Sequence, residues 1–254
     1  MENNVPFIVD ETDDFAVVFK PSKMHSDKLK KKEGGTLLEW FTSQSSPVFN
    51  IMHRLDFETH GLVLFAKNVK SYDFFKVLQE NDGFIKEYSA VCNSNVNKNT
   101  SSGVSAGQGF PQPPDLNIEN YSFLTGKPLV IESYFRPFGP GRKLVRPVTE
   151  IKKHFEIAED RGNFYRTEII NINKNVFTTR IKRGFRHQIR CHLCWIGFPI
   201  LNDLFYQYTY PSIQLLHQPL LNSDLALRSH ALFFADPSTG KQKEYRIDPL
   251  VSLI

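Results

Sequence analysis

Between His53 and His60 the chain places His53, Arg54, Asp56, Glu58, Thr59 and His60 in one short polar stretch, and Gly61 then leads into the apolar run from Leu62 to Ala66. A run of that kind reads as a strand buried on both faces. The polar residues ahead of it would form a loop at the end of a rigid sheet, where a short side chain such as Asp56 is held firmly against a ligand. Two chemistries suit these residue types. An ionised Asp56 can serve as a nucleophile or base, and paired with His53 or His60 it offers the general acid and base of a hydrolase. The same residues also suit a plain turn, with Asp56 and Thr59 capping it and Arg54 and the histidines solvated. Spacing alone leaves these readings open.

The elements that must position this loop follow from the flanking pattern. Phe15 to Phe19 is an apolar, β-branched run ended by Lys20-Pro21 and predicts a strand. Lys23, Lys28, Lys30, Lys31 and Lys32 follow, closed by Gly34-Gly35, and by default such a run is a solvated loop. Thr36 is expected to cap a short helix through Phe41, and Asn68 or Ser71 to begin a second that buries Phe74, Phe75, Val77 and Leu78 and stops before Gly83. Lys86 to Cys92 alternates with period two, which sets Tyr88, Ala90 and Cys92 on one face.

Residues 93–127 form a long polar insertion rich in Asn, Ser, Gly and Pro, the composition of a functional or disordered loop. Arg136, Arg142, Lys143 and Arg146, interleaved with Pro and Gly, make either a basic finger or a solvated hairpin. Phe155 to Ala158, Tyr165 to Ile172 and Val176 to Ile181 predict an antiparallel run. After Gly184 comes a helix with Ile189, Leu193 and Ile196 as its buried stripe, ended by Gly197 and Pro199, and on it Arg186 and Arg190 stand one turn apart. The sum is an α+β fold: a large mixed, mainly antiparallel sheet with flanking short helices.

A chain of 254 residues, 41% hydrophobic, can bury a sizeable core. Its net charge of +4 suits a phosphate-rich partner but is shared by many proteins that bind no nucleic acid. No apolar segment is long enough to span a bilayer, and the acidic N-terminal residues are unlike a signal peptide. The three cysteines cannot all pair, in keeping with a reducing cytoplasm. Cys191 and Cys194 have the spacing of half a zinc site, yet only Cys92 remains for the other half, so helix packing explains them better than a metal.

Several stretches resemble one family, in order and spanning nearly the whole chain. His53, Arg54, Leu55, Asp56, Thr59, Gly61, Leu62, Ala66 and Lys67 fit the pattern around the catalytic aspartate of the RluA-type RNA pseudouridine synthases. Phe19-Lys20-Pro21 resembles the first motif of that family, and Lys86-Glu87-Tyr88-Ser89-Ala90 its Lys-x-Tyr-x-Ala strand. His187-Gln188-Ile189-Arg190-Cys191-His192-Leu193, continued by Ile196 to Ile200 and Asp203, is similar to its arginine-bearing motif. Ser229-His230-Ala231 with Asp236-Pro237 and Thr239-Gly240 resembles its last strand and turn.

The resemblance implies a pseudouridine synthase catalytic fold with a central RNA cleft. Since too few residues precede Phe15 for another module, residues 1–254 are expected to form one catalytic domain without a separate N-terminal RNA-binding domain. The implied reaction isomerises uridine to pseudouridine in structured RNA, rRNA or tRNA, with no cofactor and no metal, by a monomer. Asp56 would be the catalytic carboxylate, Arg190 its guanidinium partner and Tyr88 the aromatic that packs on the target base. Arg54 would help to extrude that base, while Lys20, Lys30, Lys31, Arg186 and His187 would contact RNA. His53 is left as a hydrogen bonder that fixes the loop.

Departures from the pattern bear on which RNA is chosen. His60 stands where Ser is usual, and Phe57 replaces a common basic residue. Phe185 and Arg186 occupy positions where Arg and then Thr or Ser are usual. The rival expectation is a catalytically inactive RNA-binding or RNA-folding protein on the same fold, which would leave Asp56 and Arg190 without a task. A hydrolase would instead release free uracil.

Overall fold

The apolar run after Gly61 lies in a strand, His60–Ala66, every residue of which is buried. A computed structural model describes this strand within residues 5–28, 35–44, 49–93, 110–116, 118, 127–150, 164–206 and 224–250. In chain order the strands are β1 (Phe7–Glu11), β2 (Phe15–Lys20), β3 (Asn50–Ile51), β4 (His60–Ala66), β5 (Ile85–Val91), β6 (Leu129–Phe138), β7 (Leu144–Val148), β8 (Tyr165–Asn173), β9 (Val176–Ile181), β10 (Leu227–Ala235) and β11 (Gln242–Arg246). The helices are α1 (Leu37–Gln44), α2 (Val69–Glu80) and α3 (Gln188–Trp195). The chain divides into two compact units, one of residues 1–89 with 227–249 and the other chiefly of residues 90–226.

In the first unit the strand order is β1-β2-β4-β10-β5, with β3 on β4 and β11 on β10. β2 runs antiparallel to β4, whereas β10 runs parallel to it with Ser229 opposite Gly61. The sheet is therefore mixed, and its core joins Phe15, Val17, Leu62 and Leu64 to Phe75, Phe84, Leu232 and Phe234. Caps fix the helices. Asn68 accepts the Ser71 N–H at 2.8 Å at the start of α2, and Thr36 Oγ1 accepts the Glu39 N–H at 3.2 Å ahead of α1.

The second unit holds the antiparallel order β9-β8-β6-β7. Phe135, Val145, Tyr165, Cys191, Cys194 and Tyr206 form its core, so both cysteines of the half-zinc spacing pack among apolar groups. Arg136, Arg142, Lys143 and Arg146 fall on the β6–β7 hairpin and its short 3-10 turn. The α+β class and the mainly antiparallel sheet agree with the sequence.

Three local expectations need correcting. Val77 is 56% exposed, because the inward face of α2 is set by Ser71 and Phe75 and Val77 lies half a turn from Phe75. Ile196 caps α3 rather than belonging to its stripe, and every residue of α3 is buried. Arg186 is not on the helix with Arg190, since His187 between them takes a left-handed φ of 57° and breaks the helical phase. The expected strand Phe155 to Ala158 lies outside the described residues, as do Lys30, Lys31 and most of 93–127. Among the described residues no helix is long and apolar enough to cross a membrane.

Candidate functional site

The loop that carries Asp56 is fastened through its main chain by the segment that follows β2. Ser26 Oγ donates to the Leu55 carbonyl at 2.9 Å and accepts the Leu55 N–H at 3.0 Å, so one buried hydroxyl serves both polar groups of the residue before Asp56. Ser22 Oγ donates to the Glu58 carbonyl at 2.9 Å. Inside the loop the Thr59 N–H meets the Asp56 carbonyl at 3.1 Å. From β4, the Leu64 N–H donates to His53 Nε2 at 3.2 Å, which gives His53 the loop-fixing role expected of it. That bond requires a neutral imidazole, and burial, with the nearby Lys86 charge, pushes the His53 pKa well below 6.5.

Lys20 corrects the sequence reading. Its side chain is fully buried, and Nζ donates to the carbonyls of Pro21 at 2.9 Å, Met24 at 2.7 Å and Phe57 at 3.3 Å. An ammonium has three N–H donors, and here each has an acceptor, so Lys20 ties loop to loop and does not reach RNA phosphate. Burial lowers its pKa to about 7 against the opposing pull of Asp56 and Glu58. The charge of Lys20 thus sits near the Asp56 carboxylate.

Tyr88 lies on β5, buried, with its side chain hydrogen-bonded to Ser229 of β10. Burial and the Asp56 charge raise its pKa well above 10, so it remains a neutral phenol. Gly61 makes the Ser229 position possible. At its φ of +121° a Cβ would stand 2.2 Å from the Ser229 carbonyl oxygen, and no side chain fits there. Asp56 is half-buried, whereas Arg54, Phe57, Lys23 and Lys28 are exposed. The first unit therefore gathers Asp56, Lys20 and Tyr88 at the end of β4.

In the second unit Arg190 is 1% exposed and grips Asp203 bidentately, Nε to Oδ2 at 2.7 Å and Nη2 to Oδ1 at 2.8 Å. Asp203 Oδ1 also accepts the N–H groups of Phe205 and Tyr206 at 2.9 and 3.1 Å. His187 Nδ1 lies 3.1 Å from the Tyr206 hydroxyl, and exposed Arg186 donates to the Arg142 carbonyl at 3.0 Å. Sequence reasoning gave no role to Ser22, Ser26, Ser229 or Asp203. Ser229 and Asp203 lie inside stretches that resemble the family's motifs, whereas no spacing in the sequence marks the serines of the 22–26 segment.

Comparison with known proteins agrees with this frame. Residues 14–195 match the model of the RNA pseudouridylate synthase family, and the chain belongs to that family. It is similar to ribosomal large subunit pseudouridine synthase D of Haemophilus ducreyi, 23% identical over 209 residues that cover 80% of this chain and 53% of that protein. An uncharacterised RNA pseudouridine synthase of Mycoplasma capricolum is 28% identical over 215 residues, covering 78% and 58%. The chain spans about half the length of the curated relatives it matches. In fold it resembles human RNA pseudouridylate synthase domain containing 1, with a TM-score of 0.61, 17% identity, and coverage of 96% of this chain and 84% of that one. The RluA-type resemblance seen in the motifs holds.

Proposed function

We propose that the chain isomerises specific uridines to pseudouridine in structured RNA, rRNA or tRNA. The observation that carries this reading is the Asp56 loop: a carboxylate in the family's motif, on a main chain fixed by Ser26, Ser22 and Lys20, near the neutral phenol of Tyr88. In the reaction the bond from C1′ to N1 breaks, the base turns, and a bond from C1′ to C5 forms, while the C5 proton is lost and N1 gains one. Atoms and electrons balance within the substrate, so the net change calls for neither a redox cofactor nor a metal. Asp56 acts as the ionised carboxylate at the glycosidic bond, either attacking carbon or removing a sugar proton.

A stacked uridine must be flipped to reach an enclosed carboxylate, at about a few kcal/mol. Stacking on an aromatic returns roughly 1–3 kcal/mol per base, and Tyr88 is assigned that surface. Exposed Arg54 assists extrusion. Arg190 is assigned to the reaction through its motif, and Arg186 and His187 to RNA contact. Residues 1–254 are taken as a single catalytic domain, a cytoplasmic monomer.

The test is to map pseudouridines by carbodiimide primer extension in cells with and without the gene, then to treat the unmodified RNA with purified chain. A site lost in the deletion and restored in vitro supports the proposal. Identical maps with no product in vitro would reject it in favour of an RNA-binding role, and free uracil would point to a hydrolase. Product formation should survive EDTA on a prefolded or unstructured RNA.

A further inference from the structure

Phe57 follows Asp56 directly and is 39% exposed, so part of its ring is open beside the carboxylate loop. One side of it is occupied. The His25 ring lies 4.5 Å away, centroid to centroid, with 38° between the planes. The main chain that carries the ring is also fixed, because the Phe57 carbonyl accepts from Lys20 Nζ and the carbonyls of Leu55 and Glu58 accept from Ser26 and Ser22. A pre-set aromatic loses little freedom on stacking against a ligand. Exposed Lys23 and Lys28 lie within three residues of His25 along the chain, and exposed Arg54 lies three residues before Phe57.

We infer that Phe57, backed by His25, is a stacking shelf for the nucleobase next to the target uridine. The choice of RNA as ligand rests on the isomerase reading above. RNA cannot bring a C1′ to Asp56 without bringing a flanking nucleotide to the residues beside it, and residues 56 and 57 are about 3.8 Å apart at Cα. An aromatic face recognises any base, purines most strongly for their area, and the lysines donate to the intervening phosphates. The shelf therefore favours a purine beside the target.

The probe is a set of single-stranded RNA hexamers with one uridine, flanked on its 5′ or 3′ side by 2-aminopurine or by an abasic site. Wild-type chain should quench 2-aminopurine fluorescence on one side and bind that hexamer about tenfold more tightly than its abasic counterpart. Phe57→Leu should lose both effects with an unchanged salt slope, and Phe57→Trp should keep them. Equal affinity of wild type for the 2-aminopurine and abasic hexamers, absence of hexamer binding, or full quenching by Phe57→Leu would each overturn the shelf. Discrimination by a chain that forms no pseudouridine in any RNA would keep the shelf and remove the isomerase reading.

Discussion

Two charged residues from the family's motifs are held in opposite ways. The loop of Asp56 is fixed by bonds to main-chain atoms of Leu55, Asp56, Phe57 and Glu58, and the carboxylate itself is half-buried. Arg190 is enclosed, and its own guanidinium carries the bonds, gripping a carboxylate that also takes two backbone N–H groups. The contrast predicts what substitution reads in each place. Removing the Asp56 charge leaves these main-chain bonds of the loop intact, so it reports chemistry before stability. Removing Arg190 strands a buried carboxylate, so it reports stability whatever else it does.

The comparison breaks most visibly at Arg190. Arg190→Met should cost about 3–5 kcal/mol of stability, the usual consequence of taking one member from a buried pair. Urea denaturation measures it, and a loss under about 1 kcal/mol would mean that Asp203 is satisfied without the guanidinium. Gly61→Ala comes next. The Cβ would strike the Ser229 carbonyl from a strained backbone, so about 2 kcal/mol or more should be lost as β10 is pushed from β4. A tyrosine fluorescence or near-UV signal that follows Tyr88 should shift with it.

Acid sharpens the contrast further. His192 is buried between Ser133 and Thr167, each 2.9 Å from a ring nitrogen, and burial lowers its pKa from 6.5 to about 3. Below pH 6.5 the unfolded chain therefore binds a proton that the folded chain does not, and stability falls with pH until about pH 3. The slope is about 1.4 kcal/mol per pH unit for this group. His53, also depressed, adds a loss of the same sign in the first unit. Unfolding free energies at stepped pH should show the slope, and His192→Gln should reduce it. The smallest effect belongs to exposed Lys28: Lys28→Ala should weaken binding to all RNAs and lower the salt slope by about one, with bound-RNA turnover unchanged.

Much of this frame was legible in residue order. Apolar runs marked β2 and β4, and Asn68 and Thr36 marked helix starts, because periodicity and capping are local physics. What escaped depends on where the chain returns. Lys20 looked like a phosphate ligand beside other lysines, and only the return of the chain 37 residues later supplies the Phe57 carbonyl that helps to bury it. Ser26 carries no spacing signal toward Leu55, 29 residues on. Arg186 and Arg190 have helical spacing, yet a left-handed His187 separates them. Asp203 was visible in its motif, but its bidentate geometry was not.

The most direct test is single-turnover conversion of a mapped RNA by saturating Asp56→Asn chain. Near-isosteric replacement leaves the main-chain bonds of the loop in place, so the variant should melt like wild type, bind the RNA within a few-fold of wild-type affinity, and form no pseudouridine. Pseudouridine formed by pure, folded Asp56→Asn protein would contradict the assignment of Asp56 as the catalytic carboxylate.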